Sequence, residues 1–266
     1  MNPSEPTRSP TSLEGRRILV TGGAQGLGEA ISARIVDLGG QVLIADVLVD
    51  AGRATAERLG DGVEFVELDV SSADGWRDAV TVADDTFGGL DGLVNNAAIG
   101  PLGTVLDTDA ALFARIQAVN VTGVFLMSRA VIPQMRLQGG GSIVNIGSGA
   151  GWGKPNMAAY AASKGAIFAL STAMAYDHFQ DHIRVNVAIP GGGGIVSGMS
   201  VGRADGDEAA VRKRKVAGTV AGRALTGTDF AQTVAFLLSN ESQTISGTVI
   251  DVGCFAHQGG PVPIKP

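Results

Sequence analysis

ILVTGGAQGLGEAISARIVDLGG, residues 18–40, joins an apolar run, a glycine-rich turn and a helical pattern without a break. The apolar run is typical of a short buried strand. The turn, residues 21–28, has glycines that allow a tight bend, close approach of backbone N–H groups to a phosphate, and close packing of helix on strand. The start of the helix adds free N–H groups and partial positive charge. This stretch therefore predicts a strand–turn–helix unit that binds the pyrophosphate of a dinucleotide.

Outward from this unit, short apolar runs alternate with helical patterns to the end of the chain. The further predicted strands are residues 41–45, 63–68, 90–94, 142–146, 184–188 and 248–252. The predicted helices are residues 29–38, 50–59, 72–87, 112–137, 158–179 and 230–238. The strands are rich in Val, Ile and Leu and mostly do not alternate, as expected where helices cover both faces of a parallel sheet. We expect a single-domain α/β fold of the Rossmann type, a doubly wound parallel sheet of about seven strands.

Composition limits the partners and the compartment. The 266 residues fit one domain, and 45% hydrophobic with 17% charged residues excludes an intrinsically disordered chain. A net charge of −6 argues against nucleic acid or an anionic membrane as partner, and no apolar run approaches the roughly 18 residues of a membrane span. The one cysteine, Cys254, favours a reducing compartment, so we expect a cytoplasmic protein. His178, His182 and His257 lack metal-ligand spacing, so no metal site is expected.

The domain boundaries follow from composition shifts. Prolines without an apolar pattern mark residues 1–13 as a disordered tail, the folded domain covers 14–253, and 254–266 form a C-terminal tail. The glycine-rich, weakly patterned segment 191–227 is expected to form a lid over the substrate. Small or apolar lid residues favour an apolar pocket that fits cyclic alcohols, steroids or aromatic carbonyls: Met199, Ala204 and Ala209.

The residue that ends the second strand indicates which dinucleotide is bound. A carboxylate at Asp46 can accept hydrogen bonds from ribose hydroxyls and would repel a 2′-phosphate. No basic residue stands beside it, and Gln25 adds no positive charge to the turn. We therefore expect NAD and not NADP. Asp69, after the third strand, could reach the adenine amine or cap a helix together with Ser71, and the sequence leaves both roles open.

A tyrosine and a lysine four residues apart carry the predicted chemistry. Tyr160 and Lys164 share one face of a helix. A phenol with a pKa of about 10 is a poor base at neutral pH, and a nearby ammonium stabilises its phenolate. The pair could therefore accept the proton of an alcohol. Ser148, at the end of the fifth strand, could hydrogen-bond the same substrate oxygen.

With these motifs in order, the chain resembles the short-chain dehydrogenase/reductase family over residues 13–253. The matching motifs are the turn at residues 21–28, Asp69-Val70, Asn95-Asn96-Ala97, Asn120 in Asn-Val-Thr-Gly, Ser148, Tyr160-x-x-x-Lys164, Arg184-Val185-Asn186 and Pro190-Gly191. The chain departs from the family pattern in three places: Ala98 where glycine is usual, a Ser148-to-Tyr160 spacing shortened by one residue, and extra glycines at 191–194.

The resemblance implies a role for each catalytic residue. Tyr160 would be the acid/base, Ser148 would orient the substrate oxygen, Lys164 would modulate the tyrosine pKa and bind the nicotinamide ribose, and Asn120 would support a water-mediated proton relay. The implied cofactor-binding set is Gly22, Gln25, Gly26, Leu27, Gly28, Asp46, Val47, Asp69, Val70, Asn96, Ala97, Tyr160, Lys164, Pro190, Gly191 and Ile195. The resemblance also implies a homotetramer, or a homodimer, built on the two long helices.

Three functions compete at this point. The favoured one is an NAD-dependent oxidoreductase that interconverts a secondary alcohol and a ketone by hydride transfer. An NADPH-dependent reductase of 3-oxoacyl thioesters fits less well, because Asp46 argues against NADPH. A non-catalytic dinucleotide sensor fits less well because it would need none of Asn120, Ser148, Tyr160 and Lys164.

Overall fold

Seven parallel strands form the central sheet of the computed structural model, which describes residues 11–72, 74–190, 198–203, 205–209, 211, 221, 223 and 225–253. The strands are β1 Arg17–Thr21, β2 Gln41–Asp46, β3 Val63–Glu67, β4 Gly92–Asn95, β5 Gly141–Ile146, β6 Ile183–Ile189 and β7 Val249–Asp251. Their order is β3-β2-β1-β4-β5-β6-β7, so the winding direction reverses between β1 and β4. A crevice at the carboxyl ends of the strands at such a reversal is where open α/β sheets bind ligands.

Helices cover both faces of this sheet in the described residues. They are α1 Gly26–Asp37, α2 Val49–Leu59, α3 Gly75–Phe87, α4 Ala110–Gln117, α5 Gly123–Leu137, α6 Ala158–Asp177, α7 Gly198–Gly202 and α8 Gly227–Leu238. On one face, α1 and α8 bury side chains such as Ile31 and Phe230 against the strands. On the other, α3 and α5 bury Ala83 and Met127. These two apolar layers hold the sheet rigid beneath the crevice.

The sequence-based element bounds agree with the structure to within a few residues, with one informative difference. The predicted helix 112–137 is two α-helices joined by a π-helical turn at Ala118–Thr122, and the whole helix begins at Ala110. By length and composition alone this helix could cross a membrane, a test that core helices also pass. Arginines interrupt its apolar residues, so a search for an unbroken apolar run does not find it: Arg115, Arg129 and Arg136.

The predicted N-terminal tail is too long by at least three residues. Leu13 is completely buried, and its backbone N–H donates to the carbonyl of Leu38 at 2.9 Å. The hydroxyl of Thr11 donates to the carboxylate of Glu241 at 2.9 Å. Residues 11–13 have no periodic apolar pattern, so composition alone assigned them to the disordered tail. The single buried side chain of Leu13 is enough to anchor them to the fold. The predicted C-terminal tail and most of the predicted lid lie outside the described residues.

Candidate active site

The glycine-rich turn has the shape that its sequence predicts. Gly22 and Gly26 have φ angles of 64° and 62°, in the left-handed region that favours glycine. A Cβ on Gly28 would overlap the carbonyl oxygen of Gly22, so that position tolerates only glycine. A Cβ on Gly26 would meet no heavy atom within 4 Å, which leaves the space in front of the turn open. The side chain of Gln25 does not cap α1, so N–H groups at the helix start remain available to a pyrophosphate.

Asp46 ties the end of β2 to the glycine turn. Its carboxylate accepts hydrogen bonds from the backbone N–H groups of Ala24, at 3.0 Å, and Leu48, at 3.1 Å. The side chain is buried but still lines the cleft above the sheet. These bonds fix an anionic group where a dinucleotide would place its adenosine ribose, so the residues present fit the cofactor.

Asn96 and Thr21 hold the turn from the neighbouring strand. The amide of Asn96 donates to the carbonyls of Thr21, at 3.0 Å, and Gly22, at 2.8 Å. The hydroxyl oxygen of Thr21 accepts from the backbone N–H groups of Asn96 and Ala97. Asn96 was predicted on the adenosine side of the cofactor, and it does line the cleft. Its amide nitrogen, however, donates to the backbone carbonyls of the turn and so fixes the shape of the turn.

The two roles left open for Asp69 are partly resolved by its contacts. Its carboxylate accepts from the backbone N–H of Ser71, at 2.9 Å, and from the serine hydroxyl, at 2.6 Å. Arg115 lies 3.6 Å away in an ion pair. The hydrogen bond from Ser71, with a smaller contribution from Arg115, lowers the pKa of Asp69. Asp69 therefore caps the turn with Ser71 while remaining in the wall of the cleft.

Tyr160 and Ser148 meet at the inner end of the cleft. Tyr160 lies in the first turn of α6 and is only 6% exposed. Ser148 follows β5, and its side chain accepts from the backbone N–H of Ala150 at 3.2 Å. A hydrogen bond between the Ser148 hydroxyl and the phenol is one of the contacts that lower the pKa of Tyr160. The two hydroxyls are thus positioned to hold one substrate oxygen.

Lys164 is buried one helical turn after Tyr160. Its Nζ donates to the carbonyl of Ile146 at 2.7 Å and lies 5.9 Å from the centroid of the tyrosine ring. Burial lowers the pKa of Lys164 from 10.5 to about 8. An ammonium has three N–H groups, and the bond to Ile146 uses one of them.

The pKa of Tyr160 differs from the prediction made from sequence. Burial raises it, and this effect outweighs the hydrogen bond from Ser148 and the charge of Arg203, which both lower it. Lys164 was predicted to lower the tyrosine pKa, but in this geometry Ser148 and Arg203 do so. The reason is that the buried Lys164, with a pKa of about 8, loses its proton before Tyr160 ionises, since burial raises the pKa of Tyr160 from 10.

Asn120 supports the site from behind. It lies in the π-helical turn and is fully buried. Its amide nitrogen donates to the carbonyl of Ile99, at 2.8 Å, and to the hydroxyl of Ser163, at 3.0 Å, while its oxygen accepts from the N–H of Ile99 at 2.9 Å. Both amide hydrogens are therefore used to fix the loop after β4 against α6. The part predicted for Asn120 in a water-mediated proton relay stays a prediction.

One cleft of about 590 Å³ gathers most of the predicted site. Fourteen of the predicted residues line it: Gly22, Gln25, Gly26, Leu27, Asp46, Val47, Asp69, Val70, Asn96, Ala97, Ser148, Tyr160, Lys164 and Pro190. Gly28 and Asn120 lie behind its wall, where they shape the turn and the loop. Gly191 and Ile195, also predicted to bind the cofactor, lie outside the described residues.

The match to a known family covers these elements. The profile of short chain dehydrogenases matches residues 16–204, a range that contains the glycine turn, Asp46, Ser148 and the Tyr160–Lys164 pair. The chain belongs to the short-chain dehydrogenase family. It is an oxidoreductase that acts on CH–OH groups.

Individual relatives share nearly the whole chain. The 2-(S)-hydroxypropyl-CoM dehydrogenase 3 of Xanthobacter autotrophicus is 38% identical over 259 residues, 95% of this chain and 98% of that protein. The trans-4-hydroxycyclohexanecarboxylate dehydrogenase of Sinomonas cyclohexanicum is 36% identical over 239 residues, 86% of this chain and 88% of that protein. The crystal structure of 3-ketoacyl-(acyl-carrier-protein) reductase from Brucella melitensis, complexed with NADH, matches with a TM-score of 0.83 and 32% identity, covering 92% of this chain and 100% of that one. The predictions of family, fold and enzyme class are confirmed.

The cleft of this dehydrogenase is also lined by residues that were not predicted from sequence, among them Arg115, Lys154, Met157 and Arg203. Arg115 and Met157 lie close in sequence to predicted site residues, but no motif marks them. Arg203 is the most consequential, because it brings a positive charge into a pocket predicted to be apolar. Of the three lid residues behind that prediction, Met199 lines the cleft, Ala209 is exposed and Ala204 lies outside the described residues.

Proposed function

We propose that this dehydrogenase uses NAD(H) to interconvert a secondary alcohol and a ketone, with Tyr160 as the acid/base. The observation that carries the proposal is the buried Tyr160 phenol, which shares hydrogen bonding with Ser148 and lies one turn from Lys164, at the inner end of the cleft that begins at the glycine turn. The full-length relatives named above are dehydrogenases of hydroxy compounds, which supports the same reaction.

The residues of this chain handle the proton and the substrate oxygen. Bound NAD(H) supplies the hydride acceptor for oxidation and the donor for reduction. Ser148 and Tyr160 hold the substrate oxygen between their hydroxyls. During oxidation the Tyr160 phenolate takes the hydroxyl proton, and during reduction the neutral phenol returns it. Burial favours the neutral phenol, while the Ser148 hydroxyl and the positive charge of Arg203 favour the phenolate.

Asp46 sets the preference for NAD. Its carboxylate is buried at the end of β2 and is held by two backbone N–H groups, so it cannot move away from a 2′-phosphate without losing them. The Brucella structure with NADH supports the same cofactor here.

A thermal-shift series tests this cofactor assignment. NAD⁺ and NADH should raise the melting temperature at concentrations where NADP⁺ and NADPH do not, because a ligand that binds only the folded state stabilises it by mass action. Asp46→Asn keeps a hydrogen-bond acceptor but removes the charge, so the ratio of the NADP⁺ to the NAD⁺ dissociation constant should fall about tenfold or more. A wild-type shift with NADP(H) alone would overturn the assignment and favour the alternative function, an NADPH-dependent reductase of 3-oxoacyl thioesters.

We propose that the enzyme is a cytoplasmic homotetramer. Large apolar side chains are 45–90% exposed on the long α4–α5 helix, on α6 and just after it: Phe113, Phe125, Leu137, Tyr176 and Phe179. Clusters of this kind on a protein with an acidic surface are typical of subunit interfaces. Light scattering should give four times the 27.0 kDa of the chain, and Phe125→Glu should reduce that mass. A wild-type monomer at micromolar concentration would contradict the proposal.

A further inference from the structure

Arg203 follows α7 and reaches into the cleft beside Tyr160. Its Nε and Nη2 donate to the carbonyl of Gly100, at 2.9 and 2.5 Å. Its guanidinium carbon lies 5.0 Å from the centroid of the Tyr160 ring, close enough for the two side chains to interact electrostatically. Burial lowers the pKa of Arg203, although an arginine remains charged at neutral pH. A fixed positive charge thus stands next to the group that handles the substrate oxygen.

The backbone makes room for this arginine. A Cβ on Gly100 would collide with Nη2 of Arg203, would lie 2.9 Å from the sulfur of Met199, and would lie 3.0 Å from the Tyr160 ring. A side chain at residue 100 would therefore displace the guanidinium from its position beside the phenol. The φ angle of Gly100 is not positive, so backbone conformation does not explain this glycine.

The charge of Arg203 has no partner of opposite sign in the part of the chain that the structure describes. Several other arginines there pair with carboxylates, among them Arg17 with Asp91, Arg115 with Asp69 and Arg223 with Asp229. Arg184 does not, but two neutral acceptors bind its guanidinium, the Ser242 hydroxyl and the Ser239 carbonyl. A guanidinium has five N–H groups, and the bonds to Gly100 account for two. Three donors therefore remain for a ligand. Removing a charge from water costs free energy unless an opposite charge compensates for it.

We propose that Arg203 binds an anionic group of the substrate, a carboxylate carried a short spacer away from the carbon that is oxidised. The inference rests on the proposed dehydrogenase function and narrows its substrate class to hydroxy acids and the corresponding oxo acids. The spacer is short because Arg203 and the substrate oxygen contact the same phenol. A planar guanidinium matches a carboxylate geometrically, and charge-assisted hydrogen bonds of this kind are stronger than neutral ones.

Paired substrates that differ only in charge test the proposal. We would measure kcat/KM for reduction of acetoacetate against methyl acetoacetate, and of 3-oxocyclohexanecarboxylate against its methyl ester. The wild type should prefer the acids by about 10- to 100-fold, the worth of one charge-assisted pair. Arg203→Met should remove this preference, because the rates with the acids should fall about 10- to 100-fold further than the rates with the esters, whose own decrease reports the effect of Arg203 on the pKa of Tyr160. Arg203→Lys should retain part of the preference. Arg34→Met, which removes an equal charge from the outer face of α1, should leave the preference unchanged.

The other outcomes contradict the proposal in distinguishable ways. Equal wild-type rates with acid and ester, or a preference for the ester, would overturn the anion site while leaving the dehydrogenase function intact. An equal loss of both rates in Arg203→Met would show that Arg203 only positions Tyr160. A weaker NAD⁺ thermal shift in that variant would assign Arg203 to the cofactor. If neither substrate pair turns over, ligand binding is measured by thermal shift of the NAD⁺ complex. Butanoate should raise the melting temperature more than butanamide, and equal shifts would contradict the proposal.

Discussion

Tyr160→Phe should abolish turnover while leaving the cofactor bound. The substitution removes one hydroxyl from a buried ring and leaves its packing unchanged, so the fold and the distant glycine turn should be unaffected. Without the phenol no group at this place can take or return the proton. We therefore expect kcat to fall by about 10³-fold or more, near the upper end of what general acid–base catalysis contributes. The measurement is the rate of nicotinamide reduction with a secondary alcohol, together with NAD⁺ binding by thermal shift.

The chain provides a matched control for this variant. Tyr176 is its other tyrosine, lies on the same helix and is 78% exposed. Tyr176→Phe should keep the wild-type rate. Activity retained in Tyr160→Phe would refute the assignment of the acid/base, and a parallel loss of NAD⁺ binding would mean that the substitution had damaged the site as a whole.

Lys164→Met should lower activity strongly and, at neutral pH, stabilise the fold. The native state buries a lysine whose pKa is about 8, whereas an exposed lysine has its ordinary pKa of 10.5. Between these values the unfolded chain binds more protons than the native one, so stability rises with pH across that range. Below pH 8 the buried charge costs about 3 kcal/mol. The substitution also removes the hydrogen bond from Lys164 to Ile146, and this loss cancels about 1 kcal/mol of the stabilisation.

The difference in unfolding free energy between the Lys164→Met variant and its parent should therefore depend on pH. At pH 7 the methionine variant should unfold with a free energy roughly 1–3 kcal/mol higher than its parent, and the gap should close as pH rises from 8 to 10.5. Because Tyr160 also titrates at alkaline pH, the comparison is best made between Tyr160→Phe and Tyr160→Phe/Lys164→Met, by urea unfolding at several pH values. A gap independent of pH would contradict a buried lysine with a depressed pKa. In the enzyme that keeps Tyr160, the single substitution Lys164→Met should lower kcat by about 100-fold or more.

The sequence was informative where function depends on neighbours along the chain. The turn at residues 21–28 requires glycines at fixed spacing, Asp46 ends a strand that must reach the same edge of the sheet, and Tyr160 and Lys164 are one helical turn apart. Each of these relations follows from the geometry of a single element or of one βαβ unit. The order and register of the sheet then bring them to the same crevice.

The sequence was silent where function depends on contacts between distant segments. Arg203 contacts Gly100 across 103 positions, and Asn120 bonds Ser163 across 43. Whether Lys164 points at Tyr160 or at the Ile146 carbonyl depends on side-chain packing that no spacing encodes. Leu13 is anchored by one buried side chain, which a composition pattern cannot detect. At these positions the structure differs from the sequence-based predictions: in the polarity of the pocket, in the groups that set the pKa of Tyr160, and in the boundary of the N-terminal tail.

The most direct test of the central claim is nicotinamide reduction by the wild-type enzyme with NAD⁺ and a panel of secondary alcohols, both neutral and carboxylated. Absorbance of the reduced cofactor follows the reaction, and the ketone product is quantified alongside it. The account predicts one ketone formed for each NADH, at a rate that exceeds that with NADP⁺. Binding of NAD⁺ without reduction by any alcohol, and without oxidation of NADH by the corresponding ketones, would contradict it and leave a dinucleotide-binding protein that does not catalyse the reaction.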